Sequence, residues 1–436
     1  MSGKGGSSYW AIVGRQLAKN GPAMFGYRCI VGLFLVAVYT PVFALDQPFY
    51  FRDGEKSSWP WFTALFDMYY VRQGVDLFFN LLIPFLPLTA AAFLALRWRL
   101  RARGRWTGKA ARRTLLAATL LFLWTFFGLY IPDAKAKQTA WKWALAPGVR
   151  LRPSPTREKV PDYHEREAEA RKAGRSVHSV FPPLPYSYHM TRIYEGSLPP
   201  DWFQGKVREE LGAVAGHPLG TDPGGKDVLT SLLYGTRISM TIGVIAVGIY
   251  VTIGIVLGAL AGFFGGWVDM VISRLTEMMI CFPTLFFVLT IISVIGSPSI
   301  FLIMAAIGFT GWTGVTRLVR GEFLTQRGLD YSVAADALGI PRKRIIFRHV
   351  LPNALTPVLV AATFGVAGAI LTESSISFLG LGDPNAASWG MLLNTGRMTN
   401  FDWLILAPGA SIFLTVTVFN LLGEGLRDAL DPKLRR

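Results

Sequence analysis

Cysteine, histidine and acidic side chains are all scarce in this chain of 436 residues. The two cysteines, Cys29 and Cys281, fall in or beside apolar runs, so no disulfide framework exists and the redox compartment stays open. The five histidines show no metal-ligand spacing. The stretch "HEREAE" begins like a zinc-protease helix at His164 and Glu165, but Ala168 stands where the second ligand belongs. His178, His189 and His217 offer no alternative set, and no complete nucleophile constellation is present, which argues against a membrane-embedded hydrolase and against any catalytic residue or metal. Charge is sparse too: 17% of residues are charged, where a soluble chain carries about a quarter. Few ionisable groups lie deep in the apolar runs, where proton-coupled carriers keep acidic or histidine relays.

What the chain has instead is apolar length. Eight runs, at about 29–46, 76–96, 114–131, 240–263, 277–296, 299–319, 354–372 and 404–423, approach or exceed the ~20 helical residues that cross a bilayer core. These predict an all-α multispan membrane protein with about eight transmembrane helices. The first run is longer than a signal-peptide core and "VFALDQ" lacks a small-x-small cleavage site, so it is expected to stay as an anchor. The net charge of +16 is concentrated in loops: "RWRLRARGRWTGKAARR", between the second and third runs, holds seven arginines, one lysine and no acid. Short loops this basic stay on the cytoplasmic side. An even number of spans then puts both termini inside, and the basic loop after the sixth run and the tail "DPKLRR" fall inside as well. Nucleic acid would call for aromatics interleaved with the basic residues on a soluble surface, and this placement argues against it.

Three regions follow: 1–131, with three spans and the arginine loop; 132–239, a Pro-rich extracytoplasmic segment; and 240–436, a five-span core with an inside loop at 320–352. In the middle segment "DYHEREAEARKAG" predicts a short solvated helix with Asp162–Arg166 and Glu167–Arg171 pairs and a stop at Gly174. The stretch "GTDPGGKDVL", Gly220 to Leu229, has the G-x-x-x-x-G-K spacing of a phosphate-binding loop. Asp227, however, replaces the Ser or Thr that would hold Mg²⁺, and no buried strand precedes it, so the stretch is expected to be a structural turn.

The inside loop reads "GLDYSVAADALGIPRKRIIFRHVLPNALTP". A helix is expected from Asp330, as its cap, to Ile340, ended by Gly339 and Pro341. Val333, Ala334, Ala337 and Leu338 share one small apolar face suited to a groove on another protein. A second, basic helix, "RKRIIFRHV", is expected to lead back to the membrane before Pro352.

This loop resembles that of the permease subunits of ABC importers, in the dipeptide, oligopeptide and nickel group. Their pattern is EAA, three residues, Gly, nine residues, then I-x-L-P. Here Ala334, Ala335, Gly339, Leu351 and Pro352 stand at the matching positions, while Val333 replaces the glutamate and His349 the isoleucine. "HPLGTDPGGKDVLTSLLYGTRISM", "AGFFGGWVDMVISRLTEM", "ESSISFLGLG", "SWGMLL" and "FNLLGEGLRDALDPKLRR" resemble family stretches in the same order, from about 216 to the end. The resemblance implies a permease core in a bacterial inner membrane. It implies a second permease subunit, two ABC ATPases that bind ATP and Mg²⁺, and an extracytoplasmic solute-binding protein, with no cofactor on this chain. It also implies peptides or peptide-like solutes as cargo. Ala334, Ala335, Asp336, Ala337, Gly339, Leu351 and Pro352 would form the ATPase-coupling site, with Asp336 or Asp330 substituting for the missing glutamate. Glu373, Ser374 and Ser375, at the outer end of the seventh run, are candidate pathway-lining residues. The rival reading is a stand-alone carrier or channel without an ATPase. The first half departs from the family plan: three spans precede the outside segment where the family has one.

Overall fold

The computed structural model describes residues 9–54, 56–67, 70–71, 73–102, 108–129, 162–203, 216–296 and 298–431. In chain order the elements are α1 (Tyr9–Leu17), α2 (Gly21–Phe43), β1 (Tyr50–Asp53), β2 (Lys56–Ser58), α3 (Pro60–Ala64), α4 (Gly74–Ala102), α5 (Gly108–Leu129), α6 (Tyr163–Lys172) and β3 (Val177–Val180). They continue with α7 (Val228–Phe264), α8 (Gly266–Cys281), α9 (Thr284–Ile295), α10 (Ile300–Thr310), α11 (Trp312–Arg327), α12 (Asp330–Ala337), α13 (Arg342–Phe378), α14 (Trp389–Thr399) and α15 (Asp402–Leu430). Seven stretches are long and apolar enough to cross a membrane, α10 with α11 counting as one, and the α8–α9 pair makes an eighth. The chain forms two compact units, 35–237 and 1–34 with 238–436.

In the unit 35–237, β1 is the centre of an antiparallel sheet of order β2-β1-β3. The sheet was not anticipated from sequence, because its strands are three or four residues long and carry mixed residues such as "KSS" and "VHSV". The expected helix at 163–172 is present, but Asp162 caps it, accepting from the His164 N–H at 2.9 Å, instead of pairing with Arg166. Glu167 does pair with Arg171, and it also accepts from Ser179 Oγ at 2.5 Å, which fastens α6 to β3. α4 and α5 form an antiparallel hairpin zipped by aromatic edges: Phe78 meets Phe122 at 5.3 Å and Phe126 at 5.8 Å.

One buried arginine organises the rest of this unit. Pro41 in α2 has no N–H, so the carbonyl of Ala37, four residues earlier, loses its helical donor. Arg237 Nε donates to that carbonyl at 2.8 Å, while its guanidinium faces Asp76 Oδ1 at 3.4 Å and lies between the rings of Phe79 and Tyr234. Asp76 Oδ2 accepts from the Tyr188 hydroxyl at 2.9 Å. α2, α4 and α7 are thereby joined through polar groups withdrawn from both water and lipid.

α7 starts at Val228, about twelve residues before the apolar run that marked it in the sequence. The reason is the pseudo-phosphate loop, which is a helix cap. Asp227 Oδ1 accepts from the Thr230 N–H at 2.6 Å, as an N-cap carboxylate does. Asp222 Oδ1 accepts from the N–H groups of Gly224 and Lys226 and closes the turn. The expected structural turn is therefore present, and the acid that spoils Mg²⁺ binding is the one that starts the helix. Gly225 has φ +72°, and a Cβ there would sit 1.8 Å from the Arg192 carbonyl oxygen.

In the unit 1–34 with 238–436, Gly254, Gly258 and Gly262 line one face of α7, and a Cβ on each would fall within 2.5–2.7 Å of atoms of α11, at Val315, Thr316, Val319, Arg320 or Phe323. Small residues four apart are what lets two membrane helices approach this closely. The fifth apolar run is the one that departs from a straight span: α8 and α9 meet at 82°, broken at Phe282–Pro283, where proline cannot continue the hydrogen-bond ladder. The start of α8 lies beside α11, through Arg320 and Asp269. The end of α9 leads to Ile300, whose N–H donates to Asp383, beyond the far end of α13. Counted as one broken span, the bent pair brings the candidate crossings among the described residues to eight.

Candidate functional site

The coupling segment is a short helix hung between two long ones. α11 runs to Arg327 and α13 begins at Arg342, so much of the expected loop 320–352 is helix, and only 328–341 separates the two. Arg320 holds α11 to α8 by two bonds to Asp269, one of them NH2 to Oδ2 at 2.7 Å. Arg327 donates to the Phe263 carbonyl at 2.9 Å, at the end of α7. The frame beneath the segment is fixed at both points by charge-assisted bonds.

α12 spans Asp330–Ala337 and stops short of Ile340. Its N-cap is Leu329, without a side-chain bond, so Asp330 is the first helical residue and not the expected cap. The carboxylate of Asp330 still sits in the first turn, where a negative charge favours the helix dipole. The C-terminus closes as a Schellman motif: the Gly339 N–H donates to Asp336 O at 2.9 Å and the Ile340 N–H to Ala335 O at 3.1 Å. Gly339 has φ +70°, the left-handed conformation this closure requires.

The helix has two faces. Ser332 and Ala335 are buried toward α11 and the start of α13, where Ile345 and Val350 are also buried. Val333, Ala334, Ala337 and Leu338 are exposed, Val333 at 56% and Leu338 at 80%. Of the seven residues assigned to coupling, Ala334, Asp336, Ala337 and Gly339 are thus exposed, and Ala335 faces inward. Asp336 lines a cavity of about 350 Å³ with Arg327, Arg342 and Ser332. Asp330 is exposed as well, so both acids proposed as substitutes for the missing glutamate are accessible.

The expected basic helix does not end before Pro352. Residues 342–378 form one continuous helix, in which Ile345–Val350 widens to π spacing and Leu351 resumes the α form. Proline at 352 has no N–H for the carbonyl four residues back, and the wider turn just before it accommodates that loss. Leu351 is half-buried, and Pro352 borders a groove of about 820 Å³ with Glu322, Gln326 and Arg427. Phe347, on the π turn, is 67% exposed and extends the apolar surface of the loop; a lone aromatic in a basic stretch gave no sequence signal.

At the other end of α13, Glu373 and Ser374 are buried and Ser375 is exposed. Glu373 Oε1 accepts from Ser377 Oγ and Ser388 Oγ, each at 2.7 Å. The carboxyl joins α13 to the N-cap of α14 within this chain and does not line an open surface, while Ser375 Oγ donates to its own helix at Leu371 O.

A polar cluster in the unit 35–237 had no sequence expectation. His217 Nδ1 lies 3.0 Å from Asp227 Oδ2, and Nε2 lies 3.5 Å from Glu195 Oε2, an ionic contact longer than a hydrogen bond. Burial alone would lower the His217 pKa, but the partnership with Asp227 and Glu195 outweighs it and raises it to about 9. For Glu195 burial pulls upward, and His217 and Arg192 hold the carboxyl below its ordinary range.

Comparison with known proteins bears on the second half of the chain. The profile of the binding-protein-dependent transport system inner membrane component family matches residues 254–436. An oligopeptide transport system permease protein of Haemophilus influenzae is 44% identical over 222 residues, which is 50% of this chain and 71% of that protein. A dipeptide transport system permease protein of Alkalihalophilus pseudofirmus is 40% identical over 227 residues, 51% of this chain and 74% of that protein. A glutathione transport system permease protein of Pectobacterium atrosepticum is 38% identical over 227 residues, 51% of this chain and 75% of that protein.

Proposed function

The chain belongs to the inner membrane components of binding-protein-dependent transport systems, as a permease subunit of an ATP-driven importer, and from that premise we propose how it works and what it carries. Its cargo is peptides or peptide-like solutes, the class named for the relatives above. It forms half of the pathway with a second permease. Two ABC ATPases bind ATP and Mg²⁺ on the inside face, and a solute-binding protein delivers cargo outside. The membrane is a bacterial inner membrane, with both termini in the cytoplasm, as eight crossings and the basic inside loops support.

The observation that carries the coupling assignment is the two-faced α12 between two crossings. Val333, Ala334, Ala337 and Leu338 present a shallow apolar face to an ATPase groove, and Ala335 transmits displacement inward to α11 and α13. ATP binding closes the ATPase pair and so favours one arrangement of the crossings, a shift that requires a partner bound differently in the two states. The test is co-purification from gently solubilised native membranes, comparing the native chain with Leu338→Glu. Leu338 is 80% exposed, so the substitution should leave folding unchanged. ATPase subunits should accompany the native chain and fall by roughly tenfold or more with the variant, the loss expected when a charge replaces an apolar anchor. ATPase subunits retained in full by the variant would refute the docking face. A folded native chain that brings down no ATPase would favour the stand-alone carrier.

A further inference from the structure

The α4–α5 hairpin is one of the parts that transport does not explain, and its end has a composition of its own. Arg99 and Arg101 lie in the last turns of α4, and Arg112 and Arg113 in the first turns of α5; all four are exposed. Arg97 is half-buried, and Trp98 beside it is 77% exposed. No acidic residue occurs between Asp76 and Asp133, so the hairpin supplies no carboxylate to neutralise them. The apolar surface begins at once: Leu115 and Leu116 are 58% and 62% exposed, followed along α5 by Leu120 and Trp124. At about 1.5 Å of rise per residue, the first of these leucines stands only ~3–5 Å along the helix from the arginines.

We propose that this end of the hairpin is a binding site for anionic phospholipid. The phosphate of the headgroup takes the guanidinium groups, which offer paired N–H donors to phosphate oxygens. The acyl chains follow the leucine face of α5, and Trp98 sits at the interfacial level between them. Orientation by positive charge requires only the basic residues, whereas a lipid site requires the cation cluster and the apolar face in this order and at this spacing. Clusters of four to eight basic residues next to a crossing helix attract anionic headgroups at about 1 kcal/mol per residue near the surface.

The experiment uses the full chain purified in dodecyl maltoside, with thermal unfolding followed by tryptophan fluorescence. Dioleoyl phosphatidylglycerol, dioleoyl phosphatidylcholine and inorganic phosphate are added at matched phosphate concentration. Phosphatidylglycerol should raise the midpoint by about 5 °C more than phosphatidylcholine, because a ligand bound only by the folded state stabilises it. Inorganic phosphate, which has no acyl chains, should give no such increment. Arg99→Gln, Arg101→Gln, Arg112→Gln and Arg113→Gln combined should abolish the difference and keep the phosphatidylcholine response. The pair Arg112→Gln and Arg113→Gln, which leaves more charge to guide insertion, should lose about half of it. Equal midpoints with the two lipids for the native chain would overturn the proposal, as would a full phosphatidylglycerol preference in either variant. An increment with inorganic phosphate equal to that with phosphatidylglycerol would replace the lipid by a free-phosphate site.

Discussion

Replacing Asp76 by leucine tests the polar junction of α2, α4 and α7. In the native chain Arg237 is 1% exposed and meets the carboxylate of Asp76, the Ala37 carbonyl and the rings of Phe79 and Tyr234. Asp76→Leu leaves the guanidinium buried without that charge and the Tyr188 hydroxyl without its acceptor, a loss of about 3–5 kcal/mol. Arg237→Met should cost about the same, because it strands the Asp76 carboxylate and the Ala37 carbonyl that Pro41 deprives of a helical donor. The double variant removes both charges together. What remains unsatisfied is chiefly the Ala37 carbonyl and the Tyr188 hydroxyl, at about 1–3 kcal/mol. The double variant should therefore be more stable than either single one, a strongly non-additive cycle. Thermal unfolding of the full chain in detergent gives the order directly: native, then double, then the two singles. A double variant as unstable as the sum of the singles would refute the ion pair as the source of the coupling. So would an Asp76→Leu protein that unfolds with the native one.

The His217 cluster makes stability depend on pH. A raised folded-state pKa stabilises fully below the ordinary value of 6.5, and this contribution fades as pH climbs through about 9. The shift corresponds to about 3 kcal/mol, so the midpoint of the native chain should drop between pH 7 and pH 10, and His217→Ala should flatten that drop; an unchanged alkaline profile in the variant would reject the assignment. Gly225→Ala places a Cβ against the Arg192 carbonyl at a positive φ and should cost about 2–4 kcal/mol. Gly224→Ala, whose Cβ would meet the movable Thr191 Cγ2 at 3.2 Å, should cost far less; limited proteolysis compares the two.

Apolar runs located each crossing because lipid demands an uninterrupted apolar helix, and that demand is written residue by residue. Their ends were read less well. The cap at Asp227 lies in polar sequence, so α7 began earlier than its apolar run. The continuation of α13 back to Arg342 depends on a π turn that reconciles Pro352 with a helix, and no periodicity announces it. The outer face of α12 was legible, since Val333, Ala334, Ala337 and Leu338 follow helical spacing. That Ala335 faces inward depends on Ile345 and Val350, which only the fold brings beneath it. The clamp between Arg320 and Asp269, residues 51 positions apart, left no local trace either.

The corner at Phe282–Pro283 carries one more consequence, concerning water. A helix end leaves its last carbonyls and first N–H groups without partners in the same helix, and hydrocarbon supplies none. At this corner α8 ends and α9 begins within three residues, and Phe282 and Phe286 there are 59% and 66% exposed. Bare lipid would be a poor solvent for such a place. The elbow therefore belongs on a wetted or protein-covered side of the subunit, where water or a neighbouring chain can meet the backbone groups that the broken helix leaves over.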